Sequence, residues 1–400
     1  MVRRNLEKMK KLYIVSELFY PNKTSTAYIM TELANYLASS YDVSVITTDI
    51  KYDNNVTHEV EKLEYNVIRK KVGNVNKNSF FSRVKGAVGS SFVLAFELFK
   101  NVKKEDKVLV VTNPFLIIFF IAVIRVFKKF EYNLLVHDVF PENTIPAGLK
   151  SEKSFSYKLI KLVFDWSYRK ADEWIVLGED MKQLLVQKGV SDSSINIIPN
   201  WYDDDLILPD FNRSEYLGIP NLEQKVVIGF AGNIGRVQGL DDFLESFVKV
   251  NDNKLVFVAV GDGAMIGFLK EKYGSKSNIY FLGNRPRNEQ SYFLNSFDIS
   301  LVTLARGMYG LGVPSKSYNI LKTGKPILYI GDSTSEIDLM IKKNGCGWSF
   351  NWEEKDQLIT FLANIKSSDI NKFRIKNQEL AENKFNSSLI KNQFLTVINQ

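Results

Sequence analysis

His137 and Asp138 are the first candidates for chemistry, because they end an apolar run, Asn133–His137, that predicts a buried strand. In a doubly wound parallel sheet, ligands bind beyond the carboxyl ends of the strands. An imidazole there can hydrogen-bond a ligand hydroxyl or help transfer protons. We therefore predict that both residues are catalytic. The alternative is a histidine whose hydrogen bonds are satisfied near the core.

A glycine-rich segment between the predicted strand Val226–Phe230 and a helix that begins near Leu240 is the second candidate. Glycines let the backbone approach a ligand, and a helix N-terminus attracts phosphate. The pattern predicts an anion-binding loop, although an ordinary tight turn has the same composition. The candidate binding residues are Gly232, Asn233, Gly235, Arg236 and Gln238.

The segment 310–319 is more informative, because its glycines precede a proline that suits the start of a helix. Ser315 can cap this helix or lie in its first turn. Lys316 places a cation against the helix dipole, which costs about 0.3–1 kcal/mol. A bound anion explains that placement, and the alternative is a solvated lysine. The candidate binding residues are Gly312, Val313, Pro314, Ser315, Lys316 and Asn319.

Three further turns carry residues that can contact a ligand. Gly263 follows one predicted strand, and Asn284 and Arg285 follow the next, where a nucleobase could lie against the loop. The first turn between strand and helix contains Lys23, Thr24 and Ser25. These three residues predict contacts with a second substrate or, equally, an ordinary helix cap.

Alternating strands and helices must position these turns. Several apolar runs are nearly continuous, as expected for parallel strands buried on both faces. Helical stretches between them favour doubly wound parallel sheets in both halves of the chain. The predicted strands are Leu12–Val15, Val43–Thr47, Val108–Val111, Asn133–His137, Glu173–Leu177, Asn196–Ile198, Val226–Phe230, Leu255–Val260, Ile279–Leu282, Ile299–Val302 and Ile327–Ile330.

A segment rich in proline, asparagine and aspartate, from Pro199 to Gln224, separates the halves and predicts a linker. We therefore predict an α/β fold with two Rossmann-like domains, residues 1–203 and 204–385, that face each other across a cleft. The last residues, 386–400, are predicted to form a helix that crosses back to the first domain.

Composition narrows the class of protein. With one cysteine and two histidines among 400 residues, the chain can form neither an internal disulfide nor a cysteine- or histidine-rich metal site, and we predict no metal. The start of the chain shows no secretory signal, which predicts a cytoplasmic location. The net charge of +7 lies in the first half, so an anionic membrane, a phosphate-bearing lipid or nucleic acid is a candidate partner.

In order along the chain, these motifs resemble GT4-type retaining glycosyltransferases, and among them the bacterial surface-polysaccharide branch of fucosamine-transferase-like and colanic-acid-type enzymes. The resemblance covers nearly the whole chain, and it depends on the order and spacing of short motifs. The matching motifs are Val136–Asp138 with Pro141-Glu142, Ile198–Trp201, Ala231–Arg236 with Gln238-Gly239, Gly261–Gly263, Phe281–Gly283, and Val313–Lys316 through Asn319 to Gly324–Pro326.

The resemblance implies a GT-B fold in which the second domain binds the nucleotide-sugar donor and the first binds the acceptor. His137 then lies near the donor sugar, with the 232–236 loop and Lys316 at the diphosphate. The candidate residues of the second domain become donor-binding, and those at 23–25 become acceptor-binding. Retaining members of the family are thought to react by front-side displacement. No cofactor is implied, because the nucleotide-sugar is a substrate.

The chain departs from the family pattern at its charged positions. Many relatives carry Arg where this chain has Asn233 and Lys where it has Gln238. The family's paired glutamates fall at Leu311 and Asn319. We expect Lys316 and Arg236 to supply the missing phosphate contacts. Asn319 is expected to hydrogen-bond the ribose in place of a glutamate.

Two apolar stretches of the basic half bear on the acceptor. Gly86–Phe99 follows Arg83 and Lys85 and precedes Lys100, Lys103 and Lys104. This apolar stretch with basic flanks predicts an interfacial helix that attaches the protein to the inner face of the plasma membrane. Pro114–Ile124 is too short to span a bilayer, which takes about 20 residues. It predicts a buried helix. A polyprenyl-diphosphate-linked glycan would suit such a basic and apolar surface as acceptor.

The sequence therefore favours a glycosyltransferase that moves a sugar from a nucleotide-sugar, most simply UDP-linked, to a lipid-linked glycan in O-antigen, capsule or exopolysaccharide synthesis. Two alternatives stay open: a GT-B nucleotide-sugar epimerase, and a non-catalytic nucleotide-sugar-binding partner. Nucleic acid is the weakest candidate partner, because no interleaved aromatic and basic recognition motif accompanies the charge.

Overall fold

The computed structural model describes residues 9–22, 24–50, 63–72, 80–250, 252 and 254–400, with backbone only for residues 80–83. The first domain contains one sheet of seven parallel strands in the order β3-β2-β1-β4-β5-β6-β7. The strands are β1 Lys11–Val15, β2 Asp42–Thr48, β3 Asn66–Lys70, β4 Lys107–Val111, β5 Glu131–Val136, β6 Glu173–Val176 and β7 Ile195–Ile197.

The second domain contains a sheet of six parallel strands in the order β10-β9-β8-β11-β12-β13. Central strands such as β9 are buried along their whole length, which explains their uninterrupted apolar sequence. The strands are β8 Val226–Ala231, β9 Leu255–Val260, β10 Ile279–Gly283, β11 Ile299–Thr303, β12 Ile327–Ile330 and β13 Gly347–Phe350.

Helices cover both faces of each sheet. In the first domain they are α1 Ser25–Leu37, α2 Phe80–Asn101, α3 Ile117–Phe127, α4 Phe155–Tyr168 and α5 Glu179–Gln187. The remaining helices are α6 Arg213–Leu217, α7 Leu240–Phe247, α8 Ile266–Tyr273, α9 Gln290–Ser296, α10 Lys316–Lys322, α11 Glu336–Asn344, α12 Lys355–Asn364, α13 Ser367–Asn371, α14 Phe373–Lys384 and α15 Ser387–Asn399. The predicted α/β fold with two doubly wound parallel sheets is confirmed.

Two edge strands are absent from the sequence-based prediction. β3 is partly exposed along its length and ends in Arg69-Lys70, and β13 has no fully buried residue. An edge strand has only one neighbour and an exposed side, so its sequence lacks the apolar run by which the central strands were recognised.

The last residues, 386–400, form the predicted helix, α15, which Asn386 caps. Its apolar side, with Ile390 and Phe394, packs into the core of the first domain. On the same helix Lys391 lies 2.8 Å from the Glu32 carboxylate of α1. The chain therefore passes twice between the domains.

The 114–124 run lies largely in α3, whose residues Ile117, Ile118, Ile121 and Ala122 are buried. None of the helices that the structure describes combines the length and the apolar character needed to cross a bilayer.

Candidate functional site

The 232–238 loop follows β8 at the carboxyl edge of the second sheet, and its shape depends on two close backbone approaches. Gly261 has a φ of 141°, and a Cβ on it would lie 1.9 Å from the Gly232 carbonyl oxygen. A Cβ on Gly263 would lie 2.4 Å from the Ile234 carbonyl oxygen. Only glycine fits these contacts, so the sequence Gly261-Asp-Gly263 fixes the conformation of the neighbouring loop.

Within that loop Gln238, which stands where many relatives carry lysine, has a structural contact. The Gln238 side-chain oxygen accepts a hydrogen bond of 3.0 Å from the Gly235 N–H. Asn233 and Arg236 are exposed, and Arg236 makes no ion pair with any residue that the structure describes. The N–H groups of Gly232 and Ile234 donate to the carbonyl oxygens of Val260 and Asp262, so the exposed Arg236 guanidinium is the charged group that this loop offers to a ligand.

Lys316 is the first residue of α10, and its ammonium lies 3.6 Å from the centre of the Phe230 ring. Among the described residues no carboxylate pairs with it. Burial lowers the pKa of Lys316 to about 7. Lys316 is partly exposed to solvent. A partly desolvated ammonium without a counter-ion is unfavourable, so a ligand anion would stabilise it.

The first and second domains meet at Ser25 and Ser315, whose hydroxyl oxygens lie 3.2 Å apart. Ser315 makes this contact and does not cap α10 through its side chain. Thr24 caps α1 by accepting from the Ala27 N–H, and Lys23 lies outside the described residues. The turn predicted to bind an acceptor therefore faces the predicted donor segment.

A cavity of about 200 Å³ lies between these elements. It brings together five of the predicted binding residues, namely Ser25, Gly232, Ser315, Lys316 and Asn319. The other predicted residues that the structure describes lie outside its lining. Its remaining lining residues had not been predicted: Tyr28, Ile29, Trp201, Asp203, Ala231, Arg287, Gln290, Phe293 and Leu294.

Asn319 differs from its expected role as a free ribose ligand. Its amide nitrogen donates to Asp203 Oδ2 over 3.1 Å, and its amide oxygen accepts from the Asp203 backbone N–H over 2.8 Å. Both ends of the amide are therefore engaged by the segment that joins the domains. This contact could not be predicted from the sequence, because 116 residues separate Asp203 and Asn319.

Of the two arginines after β10, the one not predicted enters the cavity. Arg287 donates to Asp203 Oδ2 over 2.6 Å and lies 4.1 Å from the centre of the Tyr28 ring. Arg285 instead lies 3.6 Å from Glu289. Asn284 is exposed next to it.

His137 and Asp138 follow β5, and the Thr112 hydroxyl accepts hydrogen bonds from both of their backbone N–H groups. The His137 Nε2 is buried and has no hydrogen-bond partner in the described part of the chain. Burial lowers the pKa of His137 to about 4, so the imidazole is neutral at physiological pH. Asp138 is exposed as a residue. Neighbouring protein atoms nevertheless shield its carboxyl from part of the surrounding water, and this desolvation raises the pKa of the carboxyl to about 6.

Reciprocal contacts across the domain interface hold the 310–312 segment beside these two residues. The buried Asp180 carboxylate accepts from the N–H groups of Gly310 and Glu336, and the Glu336 carboxylate accepts from the Glu179 N–H. A Cβ on Gly312 would lie 3.5 Å from the His137 carbonyl oxygen. His137 therefore borders the segment that leads, with Val313 and Pro314, to Lys316.

A buried ion-pair cluster anchors the loop that follows Asp138. The Lys188 ammonium, 1% exposed, lies 2.6 Å from Glu142 and 2.8 Å from Asp165. Lys161 contacts the same two carboxylates. Burial alone would raise the pKa of Glu142, but Lys188 and Lys161 lower it overall. The cluster joins the Glu142 loop to α4 and α5.

Replacing Lys188 with methionine is expected to destabilise the fold by about 2 kcal/mol, because it leaves Lys161 as the one cation, among the described residues, in contact with two partly buried carboxylates. Urea unfolding measures this change. Lys182→Met is the control, because its partner Asp192 is 70% exposed, and it is expected to cost less than about 1 kcal/mol. Equal effects of the two substitutions would contradict the role of the cluster.

Two Rossmann-like domains with a ligand cavity between them define a GT-B architecture. Family models match both halves: Glycosyltransferase Family 4 over residues 27–206, and Glycosyl transferases group 1 over residues 213–384. The chain is 31% identical to the probable glycosyltransferase WbjE of Pseudomonas aeruginosa, over 85% of this chain and 86% of that one. The protein belongs to the GT4-type glycosyltransferases, as its motifs predicted.

Other similarities agree with this assignment. The chain is 27% identical to the putative colanic acid biosynthesis glycosyl transferase WcaI of Escherichia coli, over 42% of each chain. Sucrose-phosphate synthase of Thermosynechococcus elongatus superposes with a TM-score of 0.75 at 13% identity, covering 98% of both chains. Anabaena HepE with UDP and glucose gives 0.71 at 14%, covering 98% of this chain and all of that one. These two structures show the same fold.

Proposed function

We propose that this glycosyltransferase moves a sugar from a UDP-linked donor, with retention of configuration, onto a lipid-linked glycan in bacterial surface-polysaccharide synthesis. The observation that carries the proposal is Lys316, a partly buried cation without a counter-ion among the described residues, at the carboxyl edge of the second sheet. A diphosphate supplies the missing charge. The similarity to WcaI, whose name includes colanic acid biosynthesis, supports the pathway class, and the UDP in the HepE complex supports the nucleotide.

The residues around the cavity suit the chemistry of a front-side displacement. The bond between the sugar anomeric carbon and the leaving diphosphate oxygen breaks, and a bond from the acceptor oxygen forms on the same face. The acceptor proton goes to the leaving diphosphate. Lys316 and the exposed Arg236 guanidinium stabilise the charge that develops there. Neutral His137, through its free Nε2, hydrogen-bonds a hydroxyl of the donor sugar.

An apolar face on the first domain supports a lipid-linked acceptor. We define it by the exposed side chains of α2, α3 and α4, which are Val88, Phe92, Phe96, Phe99, Val126, Phe127, Phe155, Leu159, Leu162 and Val163. Ring contacts connect the three helices, from Phe92 to Phe120 (5.9 Å), Phe120 to Phe119 (5.6 Å) and Phe119 to Trp166 (6.4 Å). The face is therefore continuous.

Exposed lysines lie on the same three helices or directly after them, among them Lys85, Lys100, Lys104, Lys129 and Lys158. Apolar side chains with cations on the same elements match the interface of an anionic bilayer, where the rings enter the acyl boundary and the ammonium groups meet lipid phosphates. We propose that the protein attaches there to the inner face of the plasma membrane. A polyprenyl-diphosphate acceptor then approaches the cleft from the bilayer.

Replacing Phe155, which is 82% exposed, with serine is expected to weaken binding to anionic vesicles about tenfold, because one buried ring contributes about 1.5 kcal/mol. Flotation with phosphatidylglycerol-containing vesicles measures this change. Phe268→Ser on α8 of the second domain, 45% exposed, is the control and should have no effect. Equal binding of all three proteins, or equal binding to neutral vesicles, would contradict membrane attachment through this face.

The proposal is tested by incubating the protein with a panel of nucleotide-sugars, with and without a synthetic prenyl-diphosphate monosaccharide, and identifying the products by mass spectrometry. We expect nucleoside diphosphate and a lengthened lipid-linked glycan, formed only when the acceptor is present. Conversion of the donor without acceptor would indicate an epimerase. Binding without turnover would indicate a non-catalytic partner.

A further inference from the structure

Asp203 brings a carboxylate from the segment between the domains into the cavity that contains Lys316. The side chain is 10% exposed. Its Oδ2 accepts hydrogen bonds from Asn319 and Arg287, at 3.1 and 2.6 Å. Its Oδ1 accepts none from the residues that the structure describes. One carboxylate oxygen is thus held rigidly while the other stays available to a ligand.

Asp203 Oδ1 and the Lys316 ammonium favour different chemical groups of one ligand. Asp203 and Lys316 line the same cavity without forming an ion pair, so neither neutralises the other. The ammonium favours an anionic group, whereas a carboxylate oxygen without a hydrogen-bond partner favours a hydrogen-bond donor. Burial raises the pKa of Asp203, which shows how weakly water solvates this carboxylate. A ligand that combines phosphate with hydroxyl groups satisfies both.

We propose that Asp203 is the residue that binds the ribose hydroxyls of the donor nucleotide. This inference rests on the proposed function, and it names a ribose-binding residue that the sequence motifs did not assign. The ribose 2′- and 3′-hydroxyls are neighbouring donors, and the diphosphate attached at the 5′ position extends to Lys316. Arg287 and Asn319 act as positioning residues, because they orient the carboxylate through Oδ2.

The uncharged residue at 319 has a physical explanation in this arrangement. The Asn319 amide nitrogen lies 3.1 Å from Asp203 Oδ2, so a glutamate at 319 would bring two buried carboxylates together. Like charges at that distance cannot both ionise without a large cost. The charge is therefore carried by Asp203 of the linker, while position 319 supplies the amide that donates to it.

The wild-type protein tests this inference without any substitution. Isothermal titration calorimetry with UDP, 2′-deoxy-UDP and 3′-deoxy-UDP is expected to show that loss of one hydroxyl weakens binding about tenfold to thirtyfold, the effect of losing a hydrogen bond to a charged group. If UDP does not bind, the same series is measured with GDP and ADP. Tight binding of the parent nucleotide with no loss for either deoxy analogue overturns the assignment and leaves the proposed function intact. If UDP, GDP and ADP all fail to bind, both the Asp203 assignment and the proposed function are overturned.

Asp203→Asn separates ribose binding from a structural role. The variant is expected to bind UDP about tenfold more weakly and to lose its discrimination between UDP and the deoxy analogues. If Asp203 had a purely structural role, the substitution would weaken binding of UDP, 2′-deoxy-UDP and 3′-deoxy-UDP by the same factor. That result overturns the assignment. Asp205→Asn, an exposed carboxylate two residues along, is the control and should retain the wild-type discrimination. Thermal unfolding of each variant shows whether it is folded.

Discussion

Replacing Lys316 with methionine is expected to weaken binding of the nucleotide-sugar donor about 100-fold, because the diphosphate loses its partly buried counter-charge. Methionine keeps an apolar chain over the Phe230 ring, so the folded protein should be no less stable than the wild type. Calorimetric titration of the donor and thermal unfolding together measure both outcomes.

The matched control is Lys343→Met, which removes an exposed lysine of the same domain and should leave the donor dissociation constant unchanged. An unchanged dissociation constant in the Lys316 variant would show that the diphosphate lies elsewhere.

The pH dependence of donor binding gives a second readout of the same lysine. The pKa of Lys316 is lowered to about 7 in the free protein, and a bound diphosphate favours its charged form. Affinity is therefore highest below pH 7 and should fall, by up to about tenfold per unit, as pH rises above 7. The decline ends at the higher pKa that Lys316 has in the complex. Lys316→Met should abolish this slope, because no titrating group remains at that position.

Replacing His137 with alanine is expected to lower kcat about 100-fold with little change in donor affinity, because the lost hydrogen bond is strongest while the sugar is being transferred. The pKa of His137 is lowered to about 4 by burial, so the imidazole is neutral above about pH 5. Its protonation should therefore produce no change in rate between pH 5 and 8. Steady-state kinetics at several pH values measure both effects.

His137→Gln is the informative companion, since its amide offers a hydrogen-bond donor and should recover part of the lost rate. A 100-fold loss of donor affinity with unchanged kcat in the alanine variant would assign His137 to ground-state binding. An unchanged rate would remove it from the site.

The central strands and the donor-side loops could be predicted from the sequence, because each depends on a local pattern. β9 is a continuous apolar run, and the Gly261-Asp-Gly263 turn contains the glycines that its backbone requires. An anion near Lys316 could be predicted because a lysine at the start of a helix is unfavourable without one. These features need no knowledge of which segments meet in space.

The contacts of Asp203 could not be predicted in this way, because its partners Arg287 and Asn319 lie 84 and 116 residues away. The apolar face was only partly foreseen, through α2. On α4, Phe155, Leu159 and Leu162 repeat at helical spacing, a pattern typical of a buried stripe. In the structure Tyr157, Phe164 and Tyr168 face the core instead, and spacing alone cannot tell which of two apolar stripes is inside.

A crystal structure of the protein with UDP is the most direct test of the donor site. We predict that the diphosphate lies between the 232–236 loop and α10, with a phosphate oxygen about 3 Å from the Lys316 ammonium. We also predict that the ribose lies on the Asp203 side of the same cavity. A nucleotide bound in the first domain, or bound between the domains without contact to Lys316, would contradict the account.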